Sequence, residues 1–211
     1  IGLMDNNLFE HIKHESKFSI SESLFNEVLQ KAEHCKVPAK KFIVEAGRCD
    51  TSIYIIEDGL ARIAWFDGQK EVTFGFGSIG TIFMSPIGYY GKGEAHYFFQ
   101  ACTECSFYRL SQSTFDALVL KYHEFSNFVL GVALNQFRGC EMKSSVISGT
   151  AKDRCGLLVD GTAKSRFRQL SKRPDIMKNV SSKVLASYLG ITPAYLSNLR
   201  KAIHEEKKNN L

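Results

Sequence analysis

The chain has 211 residues, of which 44% are hydrophobic, 12% aromatic and 23% charged. This composition suffices for a packed core in one large or two modest domains, and it excludes a disordered or low-complexity chain. No apolar run reaches 18 residues and the first thirty residues carry several charges, so we expect a cytoplasmic protein without a membrane span or a signal peptide. The six cysteines are expected to be free thiols.

The net charge of +5 is distributed unevenly along the chain. Residues 161–211 contain 11 Lys and Arg against 3 Asp and Glu, a net charge of +8. Residues 1–160 therefore contain 16 Lys and Arg against 19 Asp and Glu, a net charge of −3. A basic C-terminal part on a mildly acidic body is typical of a module that binds a polyanion such as nucleic acid.

The first part of the chain, residues 5–35, has a helical pattern. Ser19-Ile-Ser-Glu22 predicts a capping box at the start of a helix. The apolar positions that follow it predict a helix face that packs on the next part of the chain. These positions are Leu24, Phe25, Val28 and Leu29.

Short β-rich runs separated by turn residues extend from Val37 to Leu110. The predicted strands are residues 41–44, 52–56, 60–65, 71–76, 96–100 and 106–110. Asp67-Gly68 between two of these runs predicts a hairpin. The even spacing of the strands predicts a β-sandwich or a jelly-roll barrel.

A helical period returns over residues 111–160. Apolar positions at alternating spacings of three and four predict a seam that pairs with a second helix. The seam consists of Phe125, Phe128, Val132, Asn135, Gly139, Met142 and Val146. Leu130, Leu134 and Phe137 lie outside it and are expected to pack on the β-rich part. We favour a dimerisation helix, in which Asn135 would select one register; a core helix of a single chain is the alternative.

A short sequence repeat follows this helix. Gly149-Thr-Ala-Lys-Asp-Arg154 recurs twelve residues later as Gly161-Thr-Ala-Lys-Ser-Arg166. Either copy could begin a helix with its threonine as N-cap. We expect the hinge to the C-terminal part at one of the two copies, and the pattern does not distinguish them.

The most specific motif is Ser182–Lys201. Gly190 supplies a left-handed stop, Thr192 an N-cap oxygen and Pro193 a first helical residue. On either side of this turn, apolar residues predict the inward faces of two helices, Leu185, Ala186 and Leu189 in the first and Leu196 and Leu199 in the second. The pattern predicts a helix-turn-helix whose second helix enters the DNA major groove. A plain αα-hairpin is the alternative, and the local positive charge argues against it.

This order of parts resembles the Crp/Fnr family of bacterial transcription regulators over essentially the whole chain. The likeness is carried by Gly47, Ile53-Tyr-Ile-Ile-Glu-Asp-Gly59, Arg62, Gly80, Ala101 and the block Ser181–Lys201. The short spacing from Arg166 to Gly190 looks like the branch common in Bacteroidetes, which lacks room for a full β-wing.

The resemblance implies an α+β fold with three parts. An N-terminal helix and an effector-sensing jelly-roll β-barrel, similar to a cyclic-nucleotide-binding domain, would occupy residues 1–118. A dimerisation helix and hinge would occupy residues 119–160, and a helix-turn-helix DNA-binding domain residues 161–211. The resemblance further implies a homodimer that binds a near-palindromic promoter site in double-stranded DNA, with RNA polymerase as a further partner.

The effector region departs from the cyclic-AMP-binding members of that family. Where they carry a Gly-Glu pair and an Arg-Ser pair, this chain has Met84-Ser85 and Ala95-His96, and no Arg occurs between Ile63 and Tyr108. A guanidinium for the phosphate and a carboxylate for the ribose are therefore missing, so we predict that cyclic AMP is not bound in that way. The region would suit a hydrophobic effector or a filled core, and its candidate residues are Phe83, Met84, Ser85, Ala95, His96 and Phe98.

The recognition helix also departs from the family. The positions that often hold a base-reading Glu and Arg are Ala194 and Asn198 here. Since Asn pairs with adenine and Ala contacts the thymine methyl group, an A·T-leaning or degenerate site is expected. The predicted DNA-contacting residues are Ser182, Lys183, Thr192, Pro193, Ala194, Tyr195, Ser197, Asn198 and Lys201.

Other chemistry is weakly indicated. Cys102-x-x-Cys105 has a zinc-like spacing but lacks a second ligand pair, and His96 and His123 are isolated candidates for haem. No nucleophile motif or phosphate-binding loop occurs, so we expect neither an enzyme nor a cofactor. The alternative function is a ligand-binding barrel whose helix-turn-helix serves protein contact; the salt dependence of DNA binding distinguishes the two hypotheses.

Overall fold

The computed structural model describes residues 6–91, 93–148 and 170–209. The helices are α1 (Asn6–Ile12), α2 (Glu22–Gln30), α3 (Pro86–Tyr89), α4 (Gln112–Lys121), α5 (His123–Ser148), α6 (Pro174–Asn179), α7 (Ser182–Leu189) and α8 (Pro193–Asn209). The strands are β1 (Glu33–Val37), β2 (Phe42–Val44), β3 (Ile53–Asp58), β4 (Ala61–Asp67), β5 (Lys70–Gly77), β6 (Ile82–Met84), β7 (Tyr97–Ala101) and β8 (Cys105–Leu110). Within the described residues, no helix is both long enough and apolar enough to cross a membrane.

The strands form two antiparallel sheets with the orders β1-β8-β3-β6 and β2-β7-β4-β5. Because side chains alternate along a strand, one face of each sheet points into a shared interior. The buried residues of that interior are Val44, Tyr54, Ile56, Ala61, Phe83, Ala95, Phe99, Ala101, Cys105 and Phe107. Among the described residues the two sheets do not pair with each other. The predicted barrel is therefore observed as a two-sheet β-sandwich.

The outer face of the first sheet is covered by helices α1, α2, α4 and α5. The four apolar positions predicted for α2 are all buried in this layer. Ile53, Ile55 and Leu110 of the first sheet pack against them. Each fully buried side chain of this size contributes about 1.5–3 kcal/mol, so the helical layer is an integral part of the N-terminal domain.

The six predicted strands are observed within two residues of their expected ends, and the Asp67-Gly68 hairpin joins β4 to β5. Strands β1 and β6 were not predicted. The segment of β1, Glu33–Val37, spans the boundary between the predicted helical and β-rich regions, and its mostly exposed residues show no apolar alternation. It becomes a strand because it pairs along its whole length with β8.

The start of α2 differs from the prediction. The helix begins at Glu22 after Ser21, and the expected capping box on Ser19 is wrong. The backbone N–H of Ser21 instead donates to Glu124 Oε1 of α5 at 2.5 Å, and its hydroxyl donates to Oε2 at 3.2 Å. A carboxylate 103 residues away therefore replaces the local cap.

The turn between β3 and β4 requires a glycine. Gly59 has φ +95°, and a Cβ at this position would lie 2.2 Å from the carbonyl oxygen of Glu104. The same turn brings Leu60 close to the segment after β7, where the backbone N–H of Cys102 donates to the Leu60 carbonyl at 2.7 Å. The chain crossing at this end of the sandwich is thus too tight for any other residue at position 59.

The two apolar faces of α5 are reversed relative to the prediction. Phe125, Phe128 and Val132 of the expected seam are buried in the core of this chain, against α2, α4 and the first sheet. Leu130, Leu134 and Phe137, which were expected to pack on the β-rich part, are 51%, 49% and 63% exposed. Helices α1, α2 and α4 and the first sheet pack on one side of α5, and the seam residues lie on that side.

Asn135 does not occupy a dimer seam in this structure. Its side-chain Nδ2 donates to the carbonyl of Glu15 at 3.2 Å, and its Oδ1 accepts from Arg138 at 2.8 Å. Met142 and Val146 belong to α5, but their side chains lie outside the described part of the chain, as do both copies of the repeat that was expected to mark the hinge.

Candidate functional site

The helix pair α7 and α8 forms as the sequence predicts. Gly190 ends α7 with φ 68° and ψ 35°, a left-handed conformation that glycine adopts without strain. Thr192 Oγ1 accepts a hydrogen bond from the backbone N–H of Tyr195 at 3.1 Å, which makes it the N-cap of α8. At the other end, Ser181 Oγ accepts from the N–H of Val184 and caps α7. Both helix starts are therefore capped by side chains of neighbouring residues.

Buried leucines hold the two helices against each other. Leu185, Leu189 and Leu196 have no exposed surface, and Ala186 between them is 1% exposed. The small Ala186 allows the helices to approach closely, as expected. Leu170, Ile176 and Val180 complete the same cluster from the segment before α7.

All nine predicted DNA-contacting residues are exposed. Ala194, Ser197, Asn198 and Lys201 are spaced by three or four residues along α8, so they share one face, away from the buried Leu196. Tyr195 is 53% exposed beside them. The others lie at the helix starts and are Ser182 and Lys183 at α7, and Thr192 and Pro193 at α8.

Arg200 is a candidate that the sequence reasoning missed. Its guanidinium donates from Nη1 to Ser182 Oγ at 2.9 Å, so it links the middle of α8 to the start of α7. An arginine held beside a helix start can contact a phosphate bidentately. The signal was available, because Arg200 is next to Lys201 and follows Leu196 by four residues.

The helix pair rests on the edge strand of the second sheet. Ser187 of α7 donates to the carbonyl of Glu71 at 3.0 Å and accepts from the backbone N–H of Thr73 at 2.9 Å. One hydroxyl thus satisfies two main-chain groups on the edge of β5 that no strand of the described residues pairs. Next to it, the ring of Tyr188 lies 5.2 Å from that of Phe76.

A buried arginine supports β5 at this contact. The Arg62 side chain is 7% exposed, and its Nη2 lies 2.5 Å from Glu71 Oε2. Its Nε donates to Gln100 Oε1 at 2.8 Å, and its guanidinium carbon lies 5.2 Å from the centre of the Phe98 ring. Arg62 therefore joins β4, β5 and β7 on the outer side of the second sheet, and its charge is already paired.

Stacked aromatic rings occupy the interior of the sandwich. Phe83 stacks on Phe99 with ring centres 3.9 Å apart and on Tyr54 with ring centres 5.0 Å apart. Phe107 meets Tyr54 edge-on at 5.7 Å. The Tyr54 hydroxyl donates to Asp50 Oδ2 at 2.7 Å, and burial together with this carboxylate raises the pKa of Tyr54. The interior is thus packed with rings that have their own partners.

The six effector-pocket candidates do not converge on one site. Phe83 points into the interior, whereas Met84 points to the helical layer on the other side of the first sheet. Phe98 is fully buried on the outer side of the second sheet, against Phe42 and Phe66. The remaining candidates are Ser85, which caps α3 by accepting from Gly88 N at 3.2 Å, Ala95, which is buried, and His96, which is exposed. The structure therefore does not bring these six candidates together in one pocket.

Cys102 and Cys105 belong to different clusters. Cys105 lies in the sandwich interior, and Cys102 packs against the cluster around α7 and α8. Burial raises the pKa of the Cys102 thiol to about 11, which disfavours the thiolate that a metal ion needs. Among the described residues, no group of three or more His, Cys, Asp or Glu could hold a metal ion.

The chain has the fold of several solved regulators. It matches a c-di-GMP responsive global regulator, CLP, from Xanthomonas campestris with a TM-score of 0.65 at 15% identity, covering 89% of this chain and 93% of that one. It matches FixK2 from Bradyrhizobium japonicum with a TM-score of 0.62 at 14% identity over 83% and 86%. The catabolite activator protein of Thermus thermophilus gives 0.55 at 15% identity over 93% and 88%. No protein-family model and no curated protein sequence matches the chain.

Proposed function

We propose that the chain is a DNA-binding transcription regulator of the Crp/Fnr type that acts as a homodimer and does not respond to cyclic AMP. The observation that carries the proposal is the exposed face of α8, where Ala194, Ser197, Asn198 and Lys201 project from a helix anchored by buried leucines. Short polar side chains on such a face suit a helix that lies in the major groove, which is about 12 Å wide. The shared fold with regulators supports the regulatory role.

The exposed residues divide into base-reading and positioning groups. Asn198 can bond bidentately to adenine and Ala194 can contact the thymine methyl group, each worth about 1–3 kcal/mol of discrimination. Lys183, Lys201 and Tyr195 would contact phosphates, which position the protein without reading sequence. We therefore expect a promoter site rich in A·T pairs at the positions facing α8.

A second copy of the chain is the proposed partner of α5. Leu130, Leu134 and Phe137 recur at spacings of four and three on its outer side and form an exposed apolar stripe. Pairing two such helices would bury the stripe and would place two recognition helices on one DNA site. The dimer face is therefore assigned to this stripe in place of the seam of Phe125, Phe128 and Val132.

The proposed indifference to cyclic AMP rests on charge and on space. Arg62 is the arginine of the second sheet, and it is paired with Glu71 on the outer side. The interior, where a nucleotide would have to enter, is occupied by the stack of Tyr54, Phe83 and Phe99. In the described interior, a cyclic phosphate would therefore have no guanidinium to pair with and no space to occupy. RNA polymerase is proposed as a further partner through the family resemblance.

Charge reversal on the recognition helix tests the DNA-binding proposal. We expect Lys201→Glu to weaken DNA binding by about 10-fold or more at low salt and to reduce the slope of log K against log salt by about 1. The matched control is Lys36→Glu, an exposed lysine on β1 that undergoes the same change of charge far along the chain from α8. Fluorescence anisotropy with the DNA upstream of the protein's own gene, at about 50 and 200 mM salt, measures both. Equal weakening by the two variants would contradict the proposed interface.

A further inference from the structure

A cavity of about 80 Å³ lies between the outer face of the first sheet and helices α2, α4 and α5. Its floor is formed by sheet residues such as Ile53 and Leu110, and its roof by helix residues such as Phe115, Phe128 and Val132. Of the fifteen lining residues in the described part of the chain, fourteen are apolar. Ile53 and Leu110 point from the first sheet into the helical layer, and Phe83 of the aromatic stack also lines the cavity, at the edge strand β6.

The described wall of the cavity carries a single polar side chain, at its rim. Gln136 is the polar lining residue, and its Nε2 already donates to the carbonyl of Ile82 at 2.6 Å. A buried water needs two to four polar partners, so this space is unsuited to water. An ion or a polar ligand would lose its hydration without compensation. The wall therefore selects for an uncharged molecule with an apolar surface.

The rim of the cavity shows where such a molecule would enter. Ala133 and Gln136 are exposed residues of α5 that also line the cavity, and Met84 of β6 is half-buried opposite them. The unbranched methionine side chain can adopt many rotamers, so it can move aside and then cover a guest. The entry lies at the turn of α5 that follows Val132.

We infer that this cavity is a binding site for a small, uncharged, apolar molecule no larger than a single aromatic ring. The size limit follows from the volume, because an apolar cavity of about 150 Å³ in another protein stays dry and binds benzene or xenon. A cavity of 80 Å³ is about half as large. It can hold xenon as it stands and a benzene ring once Met84 and Gln136 adjust.

Ligand-dependent thermal stability tests the site in the full chain. Benzene is expected to raise the melting temperature of the wild-type protein in proportion to the logarithm of its concentration, because it binds the folded state. Phenol adds one hydroxyl, which inside the apolar part of the cavity would lose its hydrogen bonds to water, so it is expected to bind at least about 10-fold more weakly. Crystals held under xenon pressure should show a xenon peak between Leu110 and Phe128.

Two variants fill the space and one controls for the substitution. Val132→Phe fills the roof and Ala133→Phe blocks the rim, and both should abolish the benzene shift. Ala117→Phe makes the same change at an exposed alanine of α4 that does not line the cavity, and it should retain the shift. If Val132→Phe does not fold, the comparison of Ala133→Phe with Ala117→Phe decides the question.

The inference is overturned if benzene gives no shift, if Ala133→Phe retains it, or if phenol binds as tightly as benzene. Binding is measured without DNA, so a negative result would overturn this site and leave the proposed DNA-binding function standing. Conversely, loss of DNA binding in the Lys201→Glu variant would not affect the benzene shift.

Discussion

Replacing Leu134 by lysine is expected to convert the proposed dimer into a monomer and to weaken binding to a two-half-site DNA by about 10²–10⁴-fold. Leu134 is the middle residue of the apolar stripe on α5, between Leu130 and Phe137. A lysine there would place two like charges in the centre of an apolar helix pair, where they lose hydration. Without the second protomer, each recognition helix binds its half-site alone, and the advantage of linkage is lost.

The matched control for this variant is Leu120→Lys. Leu120 on α4 is 87% exposed and lies outside the stripe. Replacing it by lysine therefore changes charge and hydrophobicity by the same amount as Leu134→Lys, without touching the proposed dimer face. Light scattering coupled to size-exclusion chromatography gives the mass of each variant, and anisotropy gives its DNA affinity. A dimeric Leu134→Lys variant with wild-type affinity would show that α5 does not join the protomers through this stripe.

Truncating Phe83 to alanine is expected to cost about 3–5 kcal/mol of the free energy of unfolding. The ring is 5% exposed and lies between Tyr54 and Phe99, so its removal would leave a void that neither neighbour can fill without breaking its own contacts. The loss includes the transfer energy of the ring and the energy of the cavity that remains. Urea unfolding followed by fluorescence measures the change through the transition midpoint.

Phe66→Ala is the control for the Phe83 truncation. The Phe66 side chain is 49% exposed and touches Phe98 from outside the sandwich, so about 1 kcal/mol is expected. A Phe83 variant that loses no more than this control would mean that the interior is not filled by a tight stack. The interior would then have room for a nucleotide.

The helix pair at the C-terminal end was predictable residue by residue because its signals are local. Gly190, Thr192 and Pro193 each act within a few residues of their position, and the buried leucines repeat with the helical period. Chain neighbours supply the interactions of these features, and here no distant group replaces them, in contrast to the start of α2, where Glu124 takes over from the expected local cap. The same holds for the Asp67-Gly68 hairpin.

The faces of α5 could not be assigned in advance because both are apolar. Periodicity places Phe128 and Val132 on one side and Leu134 and Phe137 on the other, but it does not say which side meets the sheet. That choice depends on where α1 and α2 dock. A helix with two apolar sides needs two partners, and a single chain supplies one of them.

Long-range polar contacts were equally inaccessible. Arg62, Glu71 and Gln100 meet because β4 pairs with both β5 and β7, and Ser187 reaches β5 from 114 residues further along the chain. The cavity beneath α5 is a property of shape, which follows from the packing of three helices on three strands and has no sequence signature. Such features can be stated only once the elements have been assembled.

Whether this chain reads DNA without cyclic AMP is decided by its affinity for the DNA upstream of its own gene, measured at two salt concentrations with and without the nucleotide. We expect tight binding at about 50 mM salt that falls by roughly 10³–10⁵-fold at 200 mM if six to ten phosphates are contacted, and no change on adding cyclic AMP. No binding at low salt, even to non-specific DNA, would contradict the DNA-binding function. Tightening by cyclic AMP would contradict the filled interior.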